Sequence, residues 1–283
     1  MYAKSYGSRF VKSNLQGKNA CQYLIATIRK NVNVRHSTIA QKDACSPKKS
    51  YLFVVTNGVA NENTDASKIA LSSLVDYFTE NMPWFESTQG KDHHEIYDKL
   101  VNAIETSHEA VQTFTCNKHA KMTVAYVVWP YLYTIHVGNN KCFLYRSHKM
   151  IPVKGQLLHY KNRSRNLLGN DGYEIDFTKR KLYPGDKLLM CTPGLVKATK
   201  VRTLSAILTR NNNVKRVCQQ ILNVVREKGS GQNFSIIVSR FGENHKNNMR
   251  SFDEQMAIWP AIERRRALEK KLPRTRKLAI SAK

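Results

Sequence analysis

Residues 122–129 and 131–137 are two apolar runs separated by Pro130 alone, too close in the chain to be joined by anything but a tight reversal. That hairpin commits the chain to antiparallel sheet, because parallel neighbours need a crossover of a dozen residues or more. Six further short apolar runs bounded by turn residues read as strands: 51–55, 142–146, 150–153, 173–177, 187–191 and 234–241. Pro184-Gly185-Asp186 leads into the run 187–191 as a turn, with Pro fixing one φ and Gly supplying a left-handed position.

Apolar residues at three- and four-residue intervals mark helices between these runs. One helix spans about residues 65–79 through Ile69, Leu71, Leu74, Val75 and Phe78. A second carries Tyr97, Leu100, Val101, Ile104, His108 and Val111, where His108 reads as a core histidine rather than a ligand. A third carries Val214, Val217, Cys218, Ile221, Leu222 and Val225, after a shorter one over 201–208. Strands far outnumber the βαβ units a parallel sheet would require, so the expected class is α+β, antiparallel sheets covered by helices. Trp129, Tyr131 and Tyr133 alternate along the hairpin, where core packing is the expected role.

The chain changes character near residue 243. Ser251-Phe252-Asp253-Glu254 has the form of a capping box, and Pro260 suits the first position of a further helix over 261–272. That helix would carry Arg264, Arg265, Arg266, Lys270 and Lys271, with Pro273 as its stop. The expected division is a globular domain over 1–242 and a basic, partly helical arm over 243–283.

Charge narrows the partners. The chain carries a formal net charge of +25, and residues 1–42 hold eight Lys/Arg and no acid. Such asymmetry points to an acidic partner: nucleic acid, an anionic surface or an acidic protein face. The six cysteines are far apart with no C-x-x-C pair, so neither a zinc site nor a disulfide framework is indicated. No stretch approaches the roughly 18 uninterrupted apolar residues of a membrane span, and no secretory leader is legible at the N-terminus. Cytoplasm is the expected compartment, although an acid-free basic N-terminus would also suit mitochondrial targeting.

Four segments, in order, then carry a family resemblance. Thr56-Asn57-Gly58-Val59-Ala60-Asn61 follows a strand and precedes a helix; Val137-Gly138-Asn139-Asn140-Lys141 joins two strands. Leu182-Tyr183-Pro184-Gly185-Asp186-Lys187-Leu188-Leu189-Met190-Cys191-Thr192-Pro193-Gly194-Leu195 is the third, and Gln232-Asn233-Phe234-Ser235-Ile236-Ile237-Val238 the fourth. Together they resemble the A-D-G-M-G-G, V-G-D-S-R, L-x-P-G-D-x-L-L-L-C-S-D-G-L and D-N-I-T-V-I-V blocks of the metal-dependent serine/threonine protein phosphatases (PPM type, type 2C), bacterial-style members above all. More weakly, Val11-Lys12-Ser13-Asn14-Leu15-Gln16-Gly17 resembles the family's N-terminal V-R-S-x-N-Q-D. The resemblance implies a four-layer α-β-β-α sandwich of two antiparallel sheets flanked by antiparallel helices.

It also implies a site in which aspartates hold Mn²⁺ or Mg²⁺ around an attacking water while an arginine grips the phosphate. Hard divalent ions need anionic oxygen to offset their mutual repulsion and to activate that water. Here Gly17, Asn57, Asn139, Pro193 and Gln232 stand where the family has aspartate, while turn-shaping residues such as Gly58 and Gly138 are kept. Lys12 and Lys141 would make the pocket neutral to positive, so Mn or Mg binding is expected to be lost and no cofactor is expected. Asn57-Gly58 is also a common turn dipeptide and can be read as no more than that.

Three readings follow. The leading one is a pseudophosphatase: an inactive binding or scaffold module for a phosphorylated or acidic protein partner, or for a kinase-containing assembly. The second is a basic nucleic-acid- or ribonucleoprotein-associated protein that reuses the fold, with Lys12, Lys141, Arg264, Arg265 and Arg266 as anion-binding residues. The third is a residual phosphatase whose ligands would come from Asp92, His93, His94, Glu95 and Asp98, although a solvated helix face is the simpler account of that cluster.

Overall fold

The reversal around Pro130 is present and organises one of two antiparallel sheets. The structure, a computed structural model, describes residues 2–11, 21–29, 49–59, 64–81, 93–115, 118–154, 166–228 and 234–242. In chain order the elements are β1 (Tyr2–Val11), β2 (Cys21–Arg29), β3 (Lys49–Gly58), α1 (Thr64–Asn81), α2 (His93–Phe114), β4 (Ala120–Val128), β5 (Tyr131–Val137), β6 (Lys141–Arg146), β7 (Lys149–Pro152), β8 (Asp176–Lys181), β9 (Lys187–Cys191), α3 (Pro193–Ala198), α4 (Val201–Arg210), α5 (Val214–Glu227) and β10 (Phe234–Gly242). One five-stranded sheet has the order β1-β10-β9-β6-β7 and the other β2-β3-β4-β5-β8.

Strand alternation builds three cores and fixes the layers. Tyr51, Phe53 and Val55 of β3 meet Leu188 and Met190 of β9 and Ile237 of β10 between the sheets. The intervening Leu52 and Val54 face the other way and pack with Ala70 and Leu74 of α1 and with Leu100 and Ile104 of α2. Leu189 and Cys191 likewise face outward, onto Leu204 and Leu208 of α4 and Val217 and Ile221 of α5. A period of two on strands buried on both faces thus yields helix, sheet, sheet, helix, the expected α+β sandwich. The expected basic arm over 243–283 lies outside the described residues.

Several elements differ from the sequence reading. β1 and β2, absent from it, are edge strands; β2 holds Tyr23, Leu24, Ile25 and Ala26, an apolar run like those singled out above, while Lys4, Ser5, Ser8 and Arg9 interrupt the apolar residues of β1. The run 173–177 is strand only from Asp176 on; Tyr173 and Ile175 are apolar because they pack on the core under α1 and α2 while still in coil. α3 also escaped it, although Pro193 sits in that helix's first turn, where its missing N–H is harmless.

Candidate functional site

At one end of the sandwich β3, β5 and β9 finish together, and three positions singled out by the sequence lie there. Cys21 opens β2 opposite Asn57 of β3. Its thiol lies 3.3 Å from Asn57 Oδ1 and 3.9 Å from Thr192 Oγ1, so one proton is set between two oxygens from different sheets. Thr192 precedes Pro193 and, rather than capping α3, its hydroxyl accepts a hydrogen bond from the Ser235 N–H at 3.0 Å. Asn139 follows β5, and its neighbour Asn140 donates through Nδ2 to the carbonyls of Val55 at 3.0 Å and Lys121 at 3.4 Å, tying the β5–β6 turn to β3 and β4.

Lysines occupy the same end. Lys121 faces Asn57 across the β3–β4 ladder, and a Cβ on Gly138 (φ +98°) would stand 2.7 Å from its Cγ. Glycine is therefore required at 138 both for its backbone and for the Lys121 stem. Burial lowers the Lys121 pKa, and the charge of Lys197 on α3 lowers it further. Lys141 stands opposite Cys191 at the end of β9. Lys121 thus stands opposite Asn57, Lys141 two residues after Asn139 and Lys197 four after Pro193.

The thiols there are not poised to react. Burial raises Cys21 to about 11, partly opposed by its hydrogen bond to Thr192. Cys191 is pushed up to about 12 by burial, and Cys142 rises for the same reason. A nucleophilic cysteine needs the opposite environment.

A dinuclear metal site can be tested on this donor set. Two divalent ions in close contact require several carboxylates. Among the described residues no group of three or more His, Cys, Asp or Glu side chains is placed to hold a metal. The groups present are two neutral amides, a proline and three lysines, and they do not fit two dications. Gly17, Gln232, Lys12, Arg264, Arg265 and Arg266 lie outside the described residues.

The alternative ligand set is not gathered into a site. Glu95 and Asp98 are exposed on α2, and Glu95 pairs with Lys99 one turn on at 3.4 Å. Asp92 and the side chains of His93 and His94 lie outside what the structure describes. His108 is only half-buried: its Nδ1 accepts from the Gly169 N–H at 3.1 Å and its ring stacks on Tyr173 at 4.1 Å. Tyr133 is fully buried, while Tyr131 and Trp129 are half-buried against the cores.

Sequence reasoning missed Cys21, Lys121, Thr192, Lys197 and His136. Lys197 carried a usable signal, since it falls four residues after Pro193 on the same helix face. Lys121 carried none, because only the ladder register brings it opposite Asn57.

No protein-family profile and no curated protein matches the chain by sequence. Solved structures do match. The catalytic domain of the serine/threonine protein phosphatase PstP, in complex with two manganese ions, superposes with a TM-score of 0.62 at 12% identity, covering 84% of this chain and 98% of that one. The Streptococcus agalactiae serine/threonine phosphatase gives a TM-score of 0.64 at 14% identity, with 84% and 99% covered. PppA, a key regulatory component of the type VI secretion system (T6SS) in Pseudomonas aeruginosa, gives 0.55 at 16%, with 77% and 97% covered. Likeness at such identity speaks for the fold: this chain has the fold of the PPM-type serine/threonine phosphatases.

Proposed function

We propose that this chain uses the PPM phosphatase fold, over residues 1–242, as a binding or scaffold module for a phosphorylated or acidic protein partner and hydrolyses no phosphate ester. The observation that carries the reading is the charge at the end of β3, β5 and β9. Asn57, Asn139 and Pro193 supply no anionic oxygen, and Lys121, Lys141 and Lys197 supply positive charge. Dications would be repelled there, and without them the attacking water keeps its ordinary pKa. The same cations suit the phosphoryl group of a partner, a kinase-bearing assembly included.

A second reading rests on the edge strands. Lys149 on β7 and Lys179, Arg180 and Lys181 on β8 are exposed, positive charge that would suit nucleic acid as well as an acidic protein.

The test uses the full-length protein with an aryl phosphate and a phosphoserine peptide, with and without Mn²⁺. We expect no turnover above buffer, and tighter binding of the phosphorylated peptide than of its unphosphorylated twin. Metal-dependent turnover abolished by Asn57→Ala would overturn the reading. Nuclease treatment before partner capture separates the second reading from the first: RNA-borne partners vanish, whereas direct protein partners remain.

A further inference from the structure

Beside Asn139 the two sheets enclose a pocket of about 50 Å³, lined among others by His136, Asn139, Lys141, Lys154, Asn166 and Asp176. It is built rather than accidental. Asn166 is held rigidly by a reciprocal pair of hydrogen bonds with the Glu174 backbone, at 2.8 and 2.9 Å. His136, only 7% exposed, is fixed through Nδ1 to the Thr123 hydroxyl at 3.0 Å. Its Nε2 approaches the Val153 backbone without hydrogen-bonding geometry and has no other partner. The side-chain oxygens of Asn139 and Asn140 are also buried without a hydrogen bond. Three orphaned polar atoms around one small space call for a polar occupant. At roughly 10–15 Å³ for each water, the space holds a few waters or one tetrahedral oxyanion.

Charge chooses between these. Lys141 is half-buried at the pocket and Lys154 exposed at its rim, and the charges of both are felt at the His136 ring. Asp176, on the strand opposite His136, is the acid among the described lining residues. In the tautomer in which the Thr123 hydroxyl donates to Nδ1, the ring proton sits on Nε2 and makes it a donor. The lining therefore offers two ammonium groups and an imidazole N–H to an anion, together with amide and carboxylate oxygens that accept a proton. A phosphoryl group, with a second pKa of about 6, keeps one acidic proton at and below that pH and there satisfies both halves; sulfate, which has no proton in this range, satisfies only one.

We propose that this pocket is a phosphoryl-binding site, so that the phosphoryl group is received beside Lys141, Lys154 and His136 rather than between Asn57 and Pro193. The proposal rests on the binding-module reading above and names the place where recognition occurs.

The test is calorimetric titration at about pH 6, where a phosphoryl group still keeps a proton, of the full-length, metal-free protein with inorganic phosphate, with sulfate and with a phosphoserine peptide. Phosphate is expected to bind at least about tenfold more tightly than sulfate, and the double change Lys141→Gln, Lys154→Gln to weaken it by a similar factor. Binding of the peptide as well as free phosphate places the source on a partner; binding of phosphate alone makes the ligand the free ion, and both sustain the site. The His136 ring proton resonances of the wild-type protein should move on phosphate addition, a readout independent of any variant's folding. Silent His136 resonances, or phosphate affinity unchanged by the double change, would overturn the site. If peptide binding instead fails on Lys121→Gln, Lys197→Gln and survives the pocket change, the pocket falls and the binding-module reading stands. Turnover with Mn²⁺ would remove that reading while leaving the metal-free titration to judge the pocket.

Discussion

The two ends of β9 are built to opposite rules. At its start, Asp186 is buried and fully engaged: Arg146 donates to it through Nε at 2.9 Å and Nη2 at 2.7 Å, and the Tyr183 N–H donates at 2.8 Å. Arg146 also donates to the Lys181 carbonyl at 2.7 Å, so its guanidinium, held by Asp186, joins the two sheets, and it lies over the Tyr183 ring at 4.5 Å. Next to it Lys187, almost wholly buried, donates to the Leu208 and Asn211 carbonyls and closes the C-terminus of α4. At the other end Thr192 and Pro193 bring no charge, and their neighbours Asn57 and Asn139 are neutral. A carboxylate persists where it holds a turn, and amides and lysines stand where the fold's resemblance implies metal chemistry. The two ends of one strand are therefore held by different chemistry, and the difference can be measured.

The largest effect is expected at the first end. Asp186→Ala removes three charge-assisted hydrogen bonds from a buried site and leaves Arg146 without its counter-ion and the Tyr183 N–H without its acceptor, a loss of about 3 kcal/mol. Arg146 is 31% exposed and partly rehydrates, which keeps the figure from rising further. Chemical denaturation should show a lower midpoint at unchanged slope. A loss below about 1 kcal/mol would mean that the Pro184-Gly185 turn, with Gly185 at φ +92°, holds this end without its carboxylate.

An intermediate effect is expected at the second end, and it depends on pH. Burial first, then the charges of Lys141 and Lys154, lower the His136 pKa from 6.5 to about 4. The unfolded chain takes up the proton that the folded one refuses. Stability is therefore intact above about pH 6.5 and falls between there and about pH 4, by roughly 2–3 kcal/mol. His136→Gln should flatten this part of the stability–pH curve relative to the wild type. Parallel curves for the two proteins would place the buried imidazole in a more polar setting than the pocket provides.

How much of this could be read beforehand differs between the same two ends. Pro184-Gly185-Asp186 announced its turn because local backbone chemistry decides it, and the strands buried on both faces announced themselves by apolar runs. Strand β1 did not, since Lys4, Ser5, Ser8 and Arg9 break up its apolar residues, whereas β2 carried a usable signal in Tyr23, Leu24, Ile25 and Ala26. At the second end, the resemblance pointed to Asn57, Asn139 and Pro193 as positions where the family has aspartate, yet not to the side chains that stand opposite them. Lys121 lies 64 positions from Asn57 in the chain and meets it only through the β3–β4 register. Cys21 joins Thr192 across the sheets in the same way. Pairings of that kind are set by register and layer packing, which no local pattern encodes.

The smallest expected effect bears most directly on whether the second end can be made like the first. Asn57→Asp returns one carboxylate opposite Lys121 and keeps an acceptor for the Cys21 thiol. The new charge gains from Lys121 and Lys197 but gives up part of its hydration, so the net change should be a stabilisation of under about 1 kcal/mol at low salt. It should fade at about 1 M salt, where screening acts within about 3 Å. The contrast with Asp186 is that a carboxylate here has a partial set of partners: cations, but no guanidinium fork and no backbone N–H in the cluster described. For the same reason Mn²⁺ should neither raise the melting temperature of the Asn57→Asp protein nor give it phosphatase activity. One anionic oxygen beside Asn139, Pro193 and three lysines cannot balance two dications. Thermal melts across Mn²⁺ concentrations, run beside the aryl phosphate assay, decide the matter. A metal-dependent rise of several degrees with turnover would show that the rest of the cage survives, and the two ends of β9 would then differ by a single residue rather than by design.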